Sequence, residues 1–205
     1  MPAIVQAWYP GGEGGHAVAQ LLAGDYSPAG RLPVTFYRSA AQLSAFNDYK
    51  MDGRTYRYFK GEALYPFGHG LSYTRFRYSP ARLSSVAVDA NGFVDVSVDV
   101  TNAGGRDGEE VVQLYVTHPK AQGAPLRALQ GFQRTYIPKG ETRTLTFRLQ
   151  NRALSTVDSQ GVRSIRPGTV DVWVGGGQPI SRAGSPMPAG SKASFTIKGQ
   201  KLLPK

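Results

Sequence analysis

WYPGGEGGHAVAQLLAGDYSPAGRLPVT, Trp8 to Thr35, is the stretch whose reading decides the first part of this chain. With the residues on either side it reads as the end of a buried strand (Ala3 to Trp8), a turn carrying Gly11, Gly12, Gly14 and Gly15, and a helix from about His16 to Ala23. A second strand follows near Leu32 to Phe36. The helix carries apolar pairs at Ala17, Val18 and Leu21, Leu22, the spacing of one buried face. Glu13 stands among the free amides of its first turn, and Gly24 ends it. In a strand, loop, helix, strand unit ligands meet the carboxyl end of the strand, so Trp8, Tyr9 and the glycine turn face the side where an α/β enzyme does chemistry. Two or three strands do not close a parallel sheet covered on both faces, so partner strands are expected upstream of Met1.

Further along the chain the periodicity changes. From Gln42 to Phe59 the pattern is irregular, and Arg54-Thr-Tyr-Arg-Tyr-Phe59 alternates like a strand. Leu64 to Tyr73 is too rich in Gly and Pro for regular structure, yet its aromatic residues must pack, so it reads as a stiff connector clamped between two bodies. From about Phe76 the period becomes two. Val94, Val96, Val98 and Val100 alternate with polar residues, and the same pattern recurs at Val112, Leu114 and Val116, at Leu145, Phe147 and Leu149, and at Val170, Val172 and Val174. Turns at Asn91-Gly92, Asn102 to Gly105, Pro138 to Gly140 and Pro167-Gly168 separate them. About seven strands of this kind argue an antiparallel β-sandwich. Its last strand is expected to hold Phe195 and Ile197, and the Lys-rich tail after Gly199 reads as loose. The fold class is therefore α+β and multidomain: the carboxyl-terminal remnant of an α/β sandwich domain (1–60), an aromatic connector (61–75) and an immunoglobulin-like β-sandwich (76–205).

Composition excludes several functions. The 205 residues contain no Cys, which removes disulfides, thiolate nucleophiles and cysteine metal sites. The net charge of +10 is dispersed: no two of the 24 Lys and Arg residues are adjacent, whereas a nucleic-acid binder concentrates them. No apolar run is long enough to cross a bilayer, and no signal segment opens the chain at Met1. Met1 lies inside a strand pattern, as an internal start or a missing amino terminus would place it. The longer protein is expected in the periplasm or the medium, although these residues leave export open.

Candidate chemistry is sparse. Gly12-Glu-Gly-Gly-His-Ala17 fits the dinucleotide pattern G-x-G-x-x-A, but the acidic residue expected after the next strand is missing, Phe36 being followed by Tyr37 and Arg38. The glycines read instead as serving a tight turn and close helix packing; a nucleotide-binding fragment would be stabilised by NAD or NADP. Glu13 is a tempting general acid that its helix-start position already explains. Tyr9 and Trp8 are candidates to stack on a sugar ring, with core packing the competing reading, favoured for Trp8. His16, His69 and His118 have no partners at metal-ligand spacing, so no metal or cofactor is expected. No G-x-S-x-G elbow is present.

Four motifs in order carry a family resemblance: Ala3-Ile-Val-Gln-Ala-Trp-Tyr-Pro-Gly-Gly-Glu-Gly-Gly15, Gly30-Arg-Leu-Pro-Val-Thr35, Tyr56-Arg-Tyr-Phe59 and Leu64-Tyr-Pro-Phe-Gly-His-Gly-Leu-Ser-Tyr-Thr74. Over essentially its whole length the chain resembles the carboxyl-terminal part of glycoside hydrolase family 3 enzymes, the β-glucosidases and β-xylosidases with a fibronectin type III-like last domain. His69 departs from the family's usual Tyr. The resemblance implies a retaining exo-β-glycosidase whose Asp nucleophile and Glu acid/base lie upstream, on a barrel domain and on the α/β domain. It assigns no catalytic residue here and makes Glu13 part of the W-Y-P-G-x-E-G-G turn. The implied partners are a β-linked oligosaccharide or glycoside and the upstream domains of the same enzyme, with no nucleic acid and no membrane. The alternative is a stand-alone carbohydrate-binding or scaffolding module, for which Trp173 and Tyr115, facing outward opposite Val172 and Leu114, would form an exposed platform.

Overall fold

The computed structural model describes residues 4–119, 121–181 and 186–204. Helix α1 (Gly14–Ala23), strand β1 (Phe36–Tyr37), a single helical turn α2 (Thr55–Tyr58) and strand β2 (Ala63–Tyr65) make up the first part. Then come the short strands β3 (Phe76–Tyr78), β4 (Arg82–Leu83) and β5 (Ala87–Asp89). The long ones are β6 (Phe93–Asn102), β7 (Gly108–Thr117), β8 (Ala128–Ile137) and β9 (Thr142–Gln150). Strands β10 (Thr156–Val157), β11 (Arg163–Ile165), β12 (Gly168–Gly175), β13 (Gly190–Lys198) and β14 (Lys201–Leu202) complete the chain.

Two sheets face each other. One has the order β5-β13-β12-β7-β8; in the other β6 pairs β9 along one edge and β3 and β4 in succession along the other. Alternation dictates what lies between them: Val94, Val96, Val98 and Val100 of β6 and Leu145, Phe147 and Leu149 of β9 meet Val112, Leu114 and Val116 of β7 and Val170, Val172 and Val174 of β12. All are buried, and Phe195 and Ile197 of β13 join them as the sequence predicts. The polar residues of β6 turn outward, where Asp95 forms a two-pronged bond to Arg148 directly across the ladder at 2.8 Å. Pairing is antiparallel except at one edge, where β5 runs parallel to β13.

Several sequence expectations yield to tertiary contacts. Residues 4–8 form no strand, and Ile4 and Val5 are exposed; Leu32 to Val34 form none either, and only Phe36 and Tyr37 pair, with β2. A strand exists only through its ladder, and apolar content marks what a segment would bury without providing a neighbour. The alternating segment Arg54 to Phe59 turns helical at Thr55–Tyr58 because its backbone and ring bonds lie elsewhere: the Arg57 carbonyl accepts from Leu126 N–H at 2.7 Å, and the Tyr56 ring stacks on Phe67 at 4.2 Å. Within the connector, Ala63–Tyr65 is a strand rather than irregular chain. The tail is tied down rather than loose, since β14 pairs with β11 and the Leu203 N–H donates to the Arg163 carbonyl at 3.0 Å.

Candidate functional site

The glycine turn is built for sharp reversal. Gly11 has φ +74°, in the left-handed region that other residues avoid, and its carbonyl accepts from the Gly14 N–H at 3.1 Å. A Cβ on Gly14 would lie 2.5 Å from Pro10 Cγ, so only glycine allows the chain to fold back on that ring. These glycines are thus accounted for without a phosphate. Helix α1 begins at Gly14, two residues earlier than the apolar pattern suggests, and ends at Gly24 in the left-handed conformation. Of its four predicted apolar residues only Leu21 is buried; Val18 is half-buried, while Ala17 and Leu22 are exposed. Glu13 occupies the N-cap position but makes no side-chain capping bond, so its role at the helix start is limited to charge.

Trp8 and Tyr9 open onto solvent. Trp8 is about half exposed at 51%, with its ring 6.4 Å from Phe36, and Tyr9 is 98% exposed. Trp8 also has φ +52°, a conformation that costs a bulky residue roughly 1–3 kcal/mol and persists only where surroundings enforce it. Core burial, the competing reading for Trp8, does not describe this position. Phe46 and Tyr49, in a stretch that reads as merely irregular, are exposed as well, at 98% and 87%. The three histidines lie apart: His16 is exposed, His69 stacks on Tyr65, and His118 is half-buried on the sandwich. Among the described residues no three His, Asp or Glu side chains converge as metal ligands would.

What the sequence reading missed is the seam between the two parts. Arg31, in the turn before β1, donates from Nη2 to Glu110 Oε1 of β7 at 2.8 Å, with both side chains nearly buried. Its Nε reaches the Gly176 carbonyl at 3.2 Å, and Nη1 reaches the carbonyls of Ala29 and Gly30. Burial raises the Glu110 carboxyl above its ordinary 4.5, against the opposing pull of Arg31. The same burial pushes the neighbouring Tyr78 hydroxyl well up. A raised carboxyl is what a general acid needs. Glu110, however, is sealed in the seam and committed to Arg31, so it fastens the two parts together. The signal was present: Glu110 sits on the same alternate positions of β7 as Val112, Leu114 and Val116, and an acid in that series calls for a buried cation.

Tyr115 and Trp173 do point away from Val172 and Leu114, as alternation requires, but that side of the sheet is covered. Tyr115 is 1% exposed and Trp173 5%. The Tyr115 ring meets Tyr56 edge-on at 6.1 Å and its hydroxyl donates to Gln113 Oε1 at 2.6 Å, while Gln113 Nε2 donates to the Gly68 carbonyl. Trp173 Nε1 donates to the Gly177 carbonyl at 2.7 Å. Neither residue is an exposed platform: α2 and the connector lie over Tyr115, and Trp173 is closed in by Gly175, Gly177 and Gly190.

Comparison with known proteins agrees with this two-part architecture. Residues 1–73 match the model of the glycosyl hydrolase family 3 C-terminal domain, and residues 110–178 that of a fibronectin type III-like domain. A xylan 1,4-β-xylosidase of Xylanibacter ruminicola is 44% identical over 174 residues, covering 84% of this chain and 20% of that protein. A periplasmic β-glucosidase of Salmonella typhimurium is 38% identical over 186 residues, covering 84% and 24%. Among solved structures, a β-glucosidase of Erythrobacter marinus superposes with TM-score 0.77 at 34% identity, over 94% of this chain and 25% of that one. The Kluyveromyces marxianus β-glucosidase in complex with glucose gives 0.81 at 28%, over 96% and 24%. The chain thus spans about a fifth to a quarter of the length of the relatives it matches.

Proposed function

Because this chain belongs to glycoside hydrolase family 3, matching the carboxyl-terminal region of its members, we propose that it serves a retaining exo-β-glycosidase, a β-glucosidase first and a β-xylosidase next. In that enzyme an aspartate attacks the anomeric carbon while a glutamic acid protonates the departing oxygen. Water then displaces the aspartate with retention, the acid/base carboxylate taking up its proton. Both carboxylates lie outside these residues, on the upstream barrel and α/β portions, and this chain alone does not catalyse. Residues 1–60 complete the α/β domain, 61–75 connect, and 76–205 form the sandwich that braces them. Trp8 and Tyr9 stand at the edge of the sugar pocket and offer apolar ring faces to a pyranose.

The observation that carries this reading is the pairing of family membership with the state of the carboxylates. Glu13, Asp25, Asp48, Asp52 and Glu62 of the first part are all exposed, and buried Glu110 is bound to Arg31. None is held as an acid or nucleophile in a closed pocket.

The test has two arms. The chain alone, given chromogenic β-glucoside or β-xyloside, is expected to release nothing above the buffer rate. Replacing the matched segment of the Salmonella typhimurium β-glucosidase by this chain should retain hydrolysis, and changing Trp8 and Tyr9 to Ala in that chimera should raise KM. Turnover by the isolated chain within the usual enzyme range, about 1–1000 per second, would overturn the upstream placement of the carboxylates.

A further inference from the structure

The first part of the fold and the sandwich meet around a basic hollow that the glycosidase reading does not use. A cavity of about 300 Å³ is lined by Arg57 and Tyr58 of α2, by His118 beyond the end of β7, by Arg152 in the 3₁₀ turn after β9, and by Arg163 of β11. Neither Asp nor Glu lines it. Among the described residues, Arg31, Arg38, Arg82, Arg134, Arg143, Arg148 and Arg166 are ion-paired and Arg54, Arg75, Arg77, Arg106 and Arg127, scattered elsewhere, are not; the hollow is set apart by having three arginines and no carboxylate in one lining. Among the described residues Arg57, Arg152 and Arg163 form no such pair. Arg163 donates from Nη1 to Ser155 Oγ at 3.1 Å, which holds its planar head beside the hollow. Burial keeps the His118 imidazole below its ordinary 6.5, so near neutrality it offers a ring nitrogen rather than a charge. Arg152 reaches the Pro204 carbonyl from Nη2 at 3.5 Å, and among the described residues the Arg57 side chain has no partner. Three arginines without a counter-charge thus line one hollow, which suits an anion; guanidinium geometry matches a carboxylate two-pronged.

The hollow does not end there. A second one, of about 260 Å³, adjoins it and shares His118 and Thr156, continuing past Gln122 to Thr169. Its single arginine, Arg166, is neutralised by Asp158 at 2.9 Å. Among the described residues, positive charge without a carboxylate partner therefore lies at one end of the joined depression, whose other end is lined by hydroxyl, amide and aliphatic groups. A compact inorganic anion would use only the first half. An extended ligand with hydroxyl groups and one carboxylate uses both, and the Tyr58 ring at the charged end suits the C–H face of the acidic sugar.

We infer that this depression is a binding site for an acidic saccharide, one uronate carboxylate held by Arg57, Arg152 and Arg163 and the adjoining neutral sugars lying along His118 and Thr156. The choice of a saccharide rests on the glycosidase reading; the anion specificity rests on the arginines. In the enzyme such a site would hold a charged branch or distant part of the substrate polymer, separate from bond cleavage.

The test is calorimetric titration of this chain with a β-linked tetrasaccharide bearing one glucuronate, with the same compound after reduction of its carboxyl to a hydroxymethyl group, and with inorganic phosphate. The glucuronate compound is expected to bind, more weakly at high salt, and at least tenfold more tightly than the other two. Arg57→Gln and Arg152→Gln, both exposed side chains whose loss should leave the melting temperature unchanged, are each expected to weaken it about tenfold. Equal binding of the reduced compound, phosphate binding as tightly, no binding at millimolar concentration, or variants that bind as the parent does would each overturn the inference. Failure of the glycosidase reading would show instead in the chimera's hydrolysis, which this titration does not measure.

Discussion

Arg31→Met tests how the seam is held. It removes the cation facing Glu110 and the bonds to the carbonyls of Gly176, Ala29 and Gly30, while keeping an unbranched side chain of similar length. Stripping one partner from a buried pair costs about 3–5 kcal/mol, because the remaining charge is left in a poor solvent. Against a total of roughly 5–15 kcal/mol for a domain this is a large share. The loss should depend on pH, with a sign fixed by Glu110. Its folded-state pKa already lies above 4.5 through burial, and removing Arg31 raises it further. A carboxyl raised on folding contributes stability that is complete below its unfolded value and disappears as pH rises through the folded one. In the variant that upper limit moves up, so the deficit relative to the parent grows only as pH rises through the parent's own folded-state value, which itself lies above 4.5. Urea unfolding at pH 4.5 and pH 8 measures it. The expected deficit is about 3–5 kcal/mol at pH 8 and clearly less at pH 4.5, where protonation of the carboxyl relieves part of the cost. The Arg31→Met, Glu110→Leu double variant should recover much of the loss, since an apolar pair needs no compensation. A deficit identical at both pH values, or no recovery in the double variant, would refute the assignment of the seam to this pair.

Other expectations follow from particular contacts. Gly68→Ala places a Cβ 2.3 Å from Gln113 Oε1 at a backbone φ of +77°, and should cost about 2–4 kcal/mol in thermal unfolding. Asn102, fully buried, accepts from Thr74 Oγ1 at 2.6 Å and donates to the carbonyls of Arg106 and Ile137 at 2.9 Å. Asn102→Leu should therefore lose about 2–4 kcal/mol by stranding those partners, and a change under 1 kcal/mol would contradict the bonding. The two tryptophans differ in exposure, so acrylamide should quench Trp8 readily and Trp173 hardly at all. Trp8→Phe should leave emission that resists the quencher, and the chain should not adhere to insoluble glucan or xylan through Trp173 or Tyr115.

What the sequence determined by itself was the sandwich. Period-two alternation at Val94 to Val100 and Val170 to Val174 can be satisfied only by strands with one buried face, and the Asn-Gly and Pro-Lys-Gly turns fix where they reverse. The motifs between Ala3 and Thr74 determined the family, for the same local reason: each demands a particular turn or ring at a particular position. Tertiary structure alone decided everything that depends on a distant partner. It covered Tyr115 with the connector and α2 and Trp173 with the bend at Gly177, since alternation gives the side a residue faces but not what lies on that side. It turned Thr55–Tyr58 into a helical turn, left residues 4–8 without a ladder, and joined Arg31 to Glu110 across 79 positions. Periodicity records a residue's local surroundings, whereas pairing, burial of an outer face and convergence of charge arise only when segments remote in the chain are brought side by side.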